Sequence, residues 1–85
     1  MLQLVNQPID LEAIFPARAP YPRPTGFLWQ GRRYRVEEIH LVHERWEGAT
    51  RLLLYSVTAG GALIQLRYDS GRARWYLDGV QMEEA

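Results

Sequence analysis

His40 and His43, followed at once by Glu44, are the side chains of this 85-residue sequence best suited to metal or acid–base chemistry. On a helix, His40 shares a face with His43 or Glu44 and could chelate a cation. On a strand, His40 and His43 project to opposite sides and cannot. The same histidines beside a Glu and an Arg would also meet the minimum for phosphodiester cleavage, which needs proton transfer and stabilisation of an anion. Little else supports an enzyme. There is no Cys and no Lys, Ser56 and Ser70 are the only serines, and neither a nucleophile elbow nor a phosphate-binding Gly loop is present. The expectation is a non-enzymatic protein with no catalytic residue, no metal and no cofactor.

Arginine is the other chemical signature. All ten basic residues are Arg, balanced by ten acids to a net charge of +0. Each is a planar, permanently charged fork that pairs with carboxylate or phosphate and stacks on aromatic rings. A codon bias toward Arg accounts for the missing Lys without any function; partner binding is the sharper alternative. The charges are unevenly placed: residues 13–36 hold five Arg and no acid, whereas residues 37–50 hold four Glu and one Arg. That pattern allows a basic stripe on a neutral domain but is not a strongly basic nucleic-acid binder.

The elements that must position these residues belong to one domain, residues 1–85, because a chain this short buries only about 60–65% of its unfolded surface. Without Cys, neither disulfides nor cysteine-ligated zinc can reinforce it, which leaves aromatic packing or oligomerisation. No apolar run approaches the ~20 residues of a membrane span, and residues 1–10 lack a basic leader pattern, so no membrane contact and a cytoplasmic location are expected. Four prolines make residues 16–24 a stiff connector. From Gly26 onward, short β-rich runs alternate with turn signals at Gln30-Gly31, Gly48, Gly60-Gly61 and Ser70-Gly71, the rhythm of an antiparallel meander.

Period-2 patterning fixes the registers. A two-residue loop at Gly60-Gly61 sets Val57, Tyr55 and Leu53 opposite Ile64, Leu66 and Tyr68 on one face. A second such loop at Ser70-Gly71 sets Leu66 opposite Trp75 and Ile64 opposite Leu77 on that face. The core is therefore expected at Leu53, Tyr55, Val57, Ile64, Leu66, Tyr68, Trp75 and Leu77. Gln30-Gly31 pairs Phe27 with Tyr34, and Ile9, Leu11, Ala13 and Phe15 alternate as a further strand. Residues 36–46 read as a strand with a bulge near Glu37-Glu38, or as one short helix at 38–46; the missing N-cap favours the strand. The fold expected is mainly β, a curled antiparallel meander sheet or small open barrel of five or six strands.

Residues Phe27-Leu-Trp-Gln-Gly31-Arg32-Arg33-Tyr34-Arg35-Val36, then Trp46, Tyr68 and Trp75-Tyr76-Leu77-Asp78, with Gln7-Pro8-Ile9-Asp10-Leu11-Glu12 upstream, cover nearly the whole chain. This pattern resembles a small bacterial family of unknown function, numbered 6504 among such domains. The resemblance brings no catalytic residues; it implies a context near DNA-repair polymerase homologues and hence nucleic-acid work. The long proline connector, His40 and His43 depart from the family's pattern.

On the face opposite the core, the Ser70-Gly71 register sets Arg67 across from Arg74 and Gln65 across from Tyr76. If Arg33 and Arg35 join them, the five residues Arg33, Arg35, Arg67, Arg74 and Tyr76 form a binding patch of the kind that contacts phosphate and stacks bases. Leu52, Leu54 and Leu63 also fall outward, and an exposed apolar sheet face commonly marks an interface. The sequence thus favours a self-associating homodimer or docking onto a larger protein, with nucleic-acid binding second and no small-molecule substrate.

Overall fold

In the computed structural model, which describes residues 2–82, these patterns resolve into seven strands: β1 (Leu2–Ile14), β2 (Arg23–Trp29), β3 (Arg32–Arg35), β4 (Glu38–Glu47), β5 (Thr50–Ala59), β6 (Ala62–Asp69) and β7 (Arg74–Met82). They form one antiparallel sheet in the order β3-β2-β1-β7-β6-β5-β4, and no described residue is helical. The sheet is not closed; β3 and β4 are its edges.

The Gly60-Gly61 hairpin sets the register at the centre. Both glycines take positive φ, 59° and 77°, as a two-residue turn matched to strand twist requires. Val57, Tyr55 and Leu53 consequently face Ile64, Leu66 and Tyr68, as the alternation predicts. The 70–71 turn departs from expectation. The ladder ends at Asp69↔Arg74, leaving a four-residue loop, because the Asp69 carboxylate accepts hydrogen bonds from the backbone N–H of Gly71 (3.0 Å) and Arg72 (3.1 Å). The pairing moves by two residues along β7, so Leu66 meets Leu77 and Tyr68 meets Trp75. A shift of that kind keeps parity, and the expected inward set survives. Of its eight members seven are buried and only Tyr68 is half-buried, and Phe27, Ala59, Ala62 and Val80 complete the core.

Seven strands replace five or six because the run from Arg32 to Glu47 is not one bulged strand. Val36 N–H donates to the Thr25 carbonyl at 2.9 Å, beside β2, and the next residue, Glu37, donates to the Thr58 carbonyl at 2.8 Å, on β5. Adjacent residues thus serve opposite edges of the sheet. The bulge lies further on, between Ile39 and Leu41, turning Ile39 and Val42 inward and Leu41 outward; the alternative helix at 38–46 does not form. β1 makes a similar exchange, since Leu2–Ile9 register with β7 and Asp10–Ile14 with β2. These two switches curl the three-stranded ribbon back over β4–β7, where Phe27 stacks on Tyr34 with ring centroids 5.1 Å apart.

The proline segment spans one end of this curl. Pro24 has already entered β2, at the register shift opposite Ala13, so the connector proper is shorter than residues 16–24. It is tied down where the Tyr55 hydroxyl donates to the Pro22 carbonyl and the Arg51 guanidinium lies 5.5 Å from the Tyr21 ring centroid.

Candidate functional site

The longer loop removes the expected Arg67–Arg74 pair. Arg67 faces Tyr76, and Arg74 faces Asp69. The Arg67 guanidinium stacks on the Tyr76 ring at 4.2 Å, its Nε donates to both Asp78 carboxylate oxygens at 3.1 and 3.0 Å, and its Nη2 donates to Asn6 Oδ1 at 2.7 Å. Its donors are largely used within the molecule, and the ring face that could have received a base carries the guanidinium.

Arg33 and Arg35 do not join that surface. They lie on β3, opposite Leu28 and Gly26, four ladder steps from Arg67 on β6. At ~4.8 Å per step this is about 19 Å along a curving sheet. Arg33 is ion-paired with Glu12. Among the described residues Arg32, Arg35 and Arg74 have no acid within 4.0 Å. The five residues of the expected patch are therefore not assembled into one site.

His40 and His43 do not converge on a metal either, and the described residues hold no cluster of three ligating groups. At the β4 bulge, His40 Nδ1 lies 3.1 Å from Glu38 Oε2 while its Nε2 is hydrogen-bonded to Thr58 Oγ1. Carboxylate, imidazole and hydroxyl form a proton relay in outline. It lies on the outer face of an edge strand.

Two surfaces remain. The first is an open groove of about 550 Å³ at the mouth of the curl, between β3 and the Gly60-Gly61 hairpin. Its inner wall is apolar (Ile64, Val80), and Trp29, Arg32, Arg33, Arg35 and Glu37 line its rim, Trp29 and Arg32 as a cross-strand pair on the Tyr34 side of β3 and Arg33 and Arg35 on the other. Tyr34 is wedged between Phe27 and Gly60, where a Cβ would come within 2.9 Å of its ring. Trp29 stands 6.2 Å from Tyr34, half-buried, with Nε1–H donating to Gln7 Oε1 at 3.4 Å. Among these rim residues Arg33 and Arg35 belong to the expected patch; Trp29 and Arg32 come to the groove through the curl, which no local pattern reports.

The second surface is the outer face of β1 and β4–β7. Pairing places Leu4, Gly79, Gln65, Ser56 and Leu41 in one row across it, with Leu63 and Leu54 on the rows to either side. Ser56 Oγ donates to Gln65 Oε1 at 2.8 Å at the centre. Leu4 is 80% exposed, Leu41 60% and Leu2 46%; Leu54 and Leu63 are half-buried. Leu52, expected outward with them, is on that side but buried, so it adds nothing to the patch. Comparison with family models, curated proteins and solved structures finds no match to this chain. The reading of function rests on these two surfaces.

Proposed function

We propose that the domain is a non-enzymatic interaction module that self-associates through the outer face of β1 and β4–β7. The observation that carries this is the ring of Leu2, Leu4, Leu41, Leu54 and Leu63 around the Ser56–Gln65 pair. An exposed aliphatic cluster on a flat sheet gains from removal of its area from water. The polar centre costs little to cover because its hydroxyl and amide already satisfy each other. Five strands at ~4.8 Å spacing and about eight residues of length give a face on the order of 600 Å², close to the ~800 Å² per partner of a standard interface. A second copy presents the same surface and forms an isologous pair. Such pairing also supplies apolar burial that an isolated domain of this size lacks.

The test is mass by light scattering across a concentration series, on the native chain and on Leu4→Arg and Leu41→Glu. The native chain is expected to be dimeric at micromolar concentration and each variant monomeric with an unchanged far-ultraviolet spectrum. A native chain that stays monomeric to millimolar concentration overturns the proposal, as does a dimer indifferent to both changes.

A further inference from the structure

The groove at the mouth of the curl is a second, inward-facing surface that self-association through the outer face does not use. Three features act together there. Trp29 offers a planar indole at the rim, held by its Nε1–H bond to Gln7 and by the neighbouring Tyr34, which Phe27 and Gly60 immobilise. Arg32, directly across from Trp29 on β3, has no acid within 4.0 Å among the described residues, unlike Arg33 and Arg67, whose charges are met inside the molecule. The volume, about 550 Å³, is that of a small-molecule cleft and well above what a bare anion needs. A ligand matched to all three carries a flat aromatic ring to lie on the indole and a strong anion a few ångströms away to take the Arg32 guanidinium fork.

We infer that this groove binds a nucleotide unit, free or within a single strand, with its base on Trp29 and its phosphate on Arg32. Stacking on an aromatic side chain is sequence-tolerant because every base has a π-face, and a guanidinium meets phosphate oxygens bidentately. Glu37 on the same rim opposes the phosphate, which favours one or two phosphate contacts over a long basic track. Duplex is excluded by the same geometry, since its bases are stacked on one another and cannot reach the indole.

Fluorescence anisotropy of a labelled oligothymidylate, at low salt and over a salt series, tests this on the full chain. The native protein is expected to bind single strand in preference to duplex. Free thymidine monophosphate should compete, and inorganic phosphate should compete at least tenfold less well. Trp29→Ala is expected to weaken binding about tenfold or more, with Trp29→Phe retaining most of it, which separates loss of stacking from loss of fold. Arg32→Gln should flatten the slope of log K against log salt by about 0.7, the share of one single-strand phosphate contact. Arg74→Gln, on the outer face, should change nothing. No binding at low salt overturns the inference, as does equal binding of duplex, competition by phosphate equal to that of the nucleotide, or a loss on Arg74→Gln as large as that of the groove variants.

Discussion

The Arg67 guanidinium lies 4.2 Å above the Tyr76 ring, and Tyr76 is the residue directly across from it on β7. With both Asp78 oxygens and Asn6 as acceptors, the stack turns an outward-pointing cation into a cross-strand clamp joining β6, β7 and the irregular stretch of β1 around Asn6. The Arg67 side chain is only 18% exposed, so this pair is less screened than an ordinary surface pair.

Asp78→Ala is therefore expected to lower stability by about 1–2 kcal/mol, since it leaves a partly buried guanidinium short of its partner. Urea unfolding of Asp78→Ala, Arg67→Ala and the double variant should give a coupling of at least ~0.5 kcal/mol; strict additivity would mean the clamp contributes nothing.

Asp69 is buried and holds the 70–73 loop through its two backbone hydrogen bonds. Replacing it with Ala leaves two amides without their acceptor and should cost about 1–3 kcal/mol. Asn retains a carbonyl acceptor, so Asp69→Asn should recover part of the loss in the same thermal melts.

Gly60 and Gly61 both have positive φ, but only Gly60 is crowded, by the Tyr34 ring. Gly61→Ala is expected to cost about 1 kcal/mol for the backbone conformation alone. Gly60→Ala should cost a further ~1–3 kcal/mol, because the aromatic wall behind the groove must shift. Equal losses would show that Tyr34 yields freely.

Burial pushes the Tyr55 hydroxyl well above the ordinary tyrosine range, against the opposing influence of Arg51. In the unfolded chain the same group ionises near pH ~10. Above that pH the unfolded state releases a proton that the folded state keeps, so the stabilisation present at neutral pH declines as pH rises through 10 and beyond. Tyr55→Phe should lower stability at pH 7 by about 1 kcal/mol, through the lost bond to Pro22, yet flatten the decline between pH 10 and 12 in denaturant titrations.

Leu66 is fully buried in the core. Leu66→Ala should cost about 2–5 kcal/mol, and Leu66→Asp should abolish the folded near-ultraviolet spectrum by burying an unpaired charge.

The meander was legible where strict alternation met a two-residue turn: Leu53 to Tyr68 across Gly60-Gly61, and Phe27 with Tyr34 across Gln30-Gly31, pair as the spacing dictates. The 70–73 loop was not, because its length is set by a side-chain carboxylate that the Ser70-Gly71 dipeptide does not reveal. A displacement of two residues along β7 preserved the core, where only parity matters, and dissolved the Arg67–Arg74 pair, where identity matters. The first half of β1 was missed since Asn6 at φ 50° and the shift between Leu4 and Gln7 break its alternation. The division of β3 from β4 escaped detection because Val36 and Glu37 change partners without any turn residue. Leu4 and Leu41 went unremarked for the related reason that bulges, not simple alternation, send them outward.

The pairing of Leu2 with Gln81 has a kinetic consequence. β4 to β7 are joined by short hairpins and can assemble in sequence order from local contacts, whereas β1 is synthesised before β2 to β6 and its main ladder partner, β7, after them. Until β7 arrives, the segment carrying Leu2, Leu4 and Ile9 has nothing to pair with on that side. Closing so long a loop comes late and slowly. β1, paired with β2 at one end and β7 at the other in the finished fold, is thus the strand whose hydrophobic side chains stay unprotected longest during synthesis, and its docking is the step at which nascent chains most readily find one another instead.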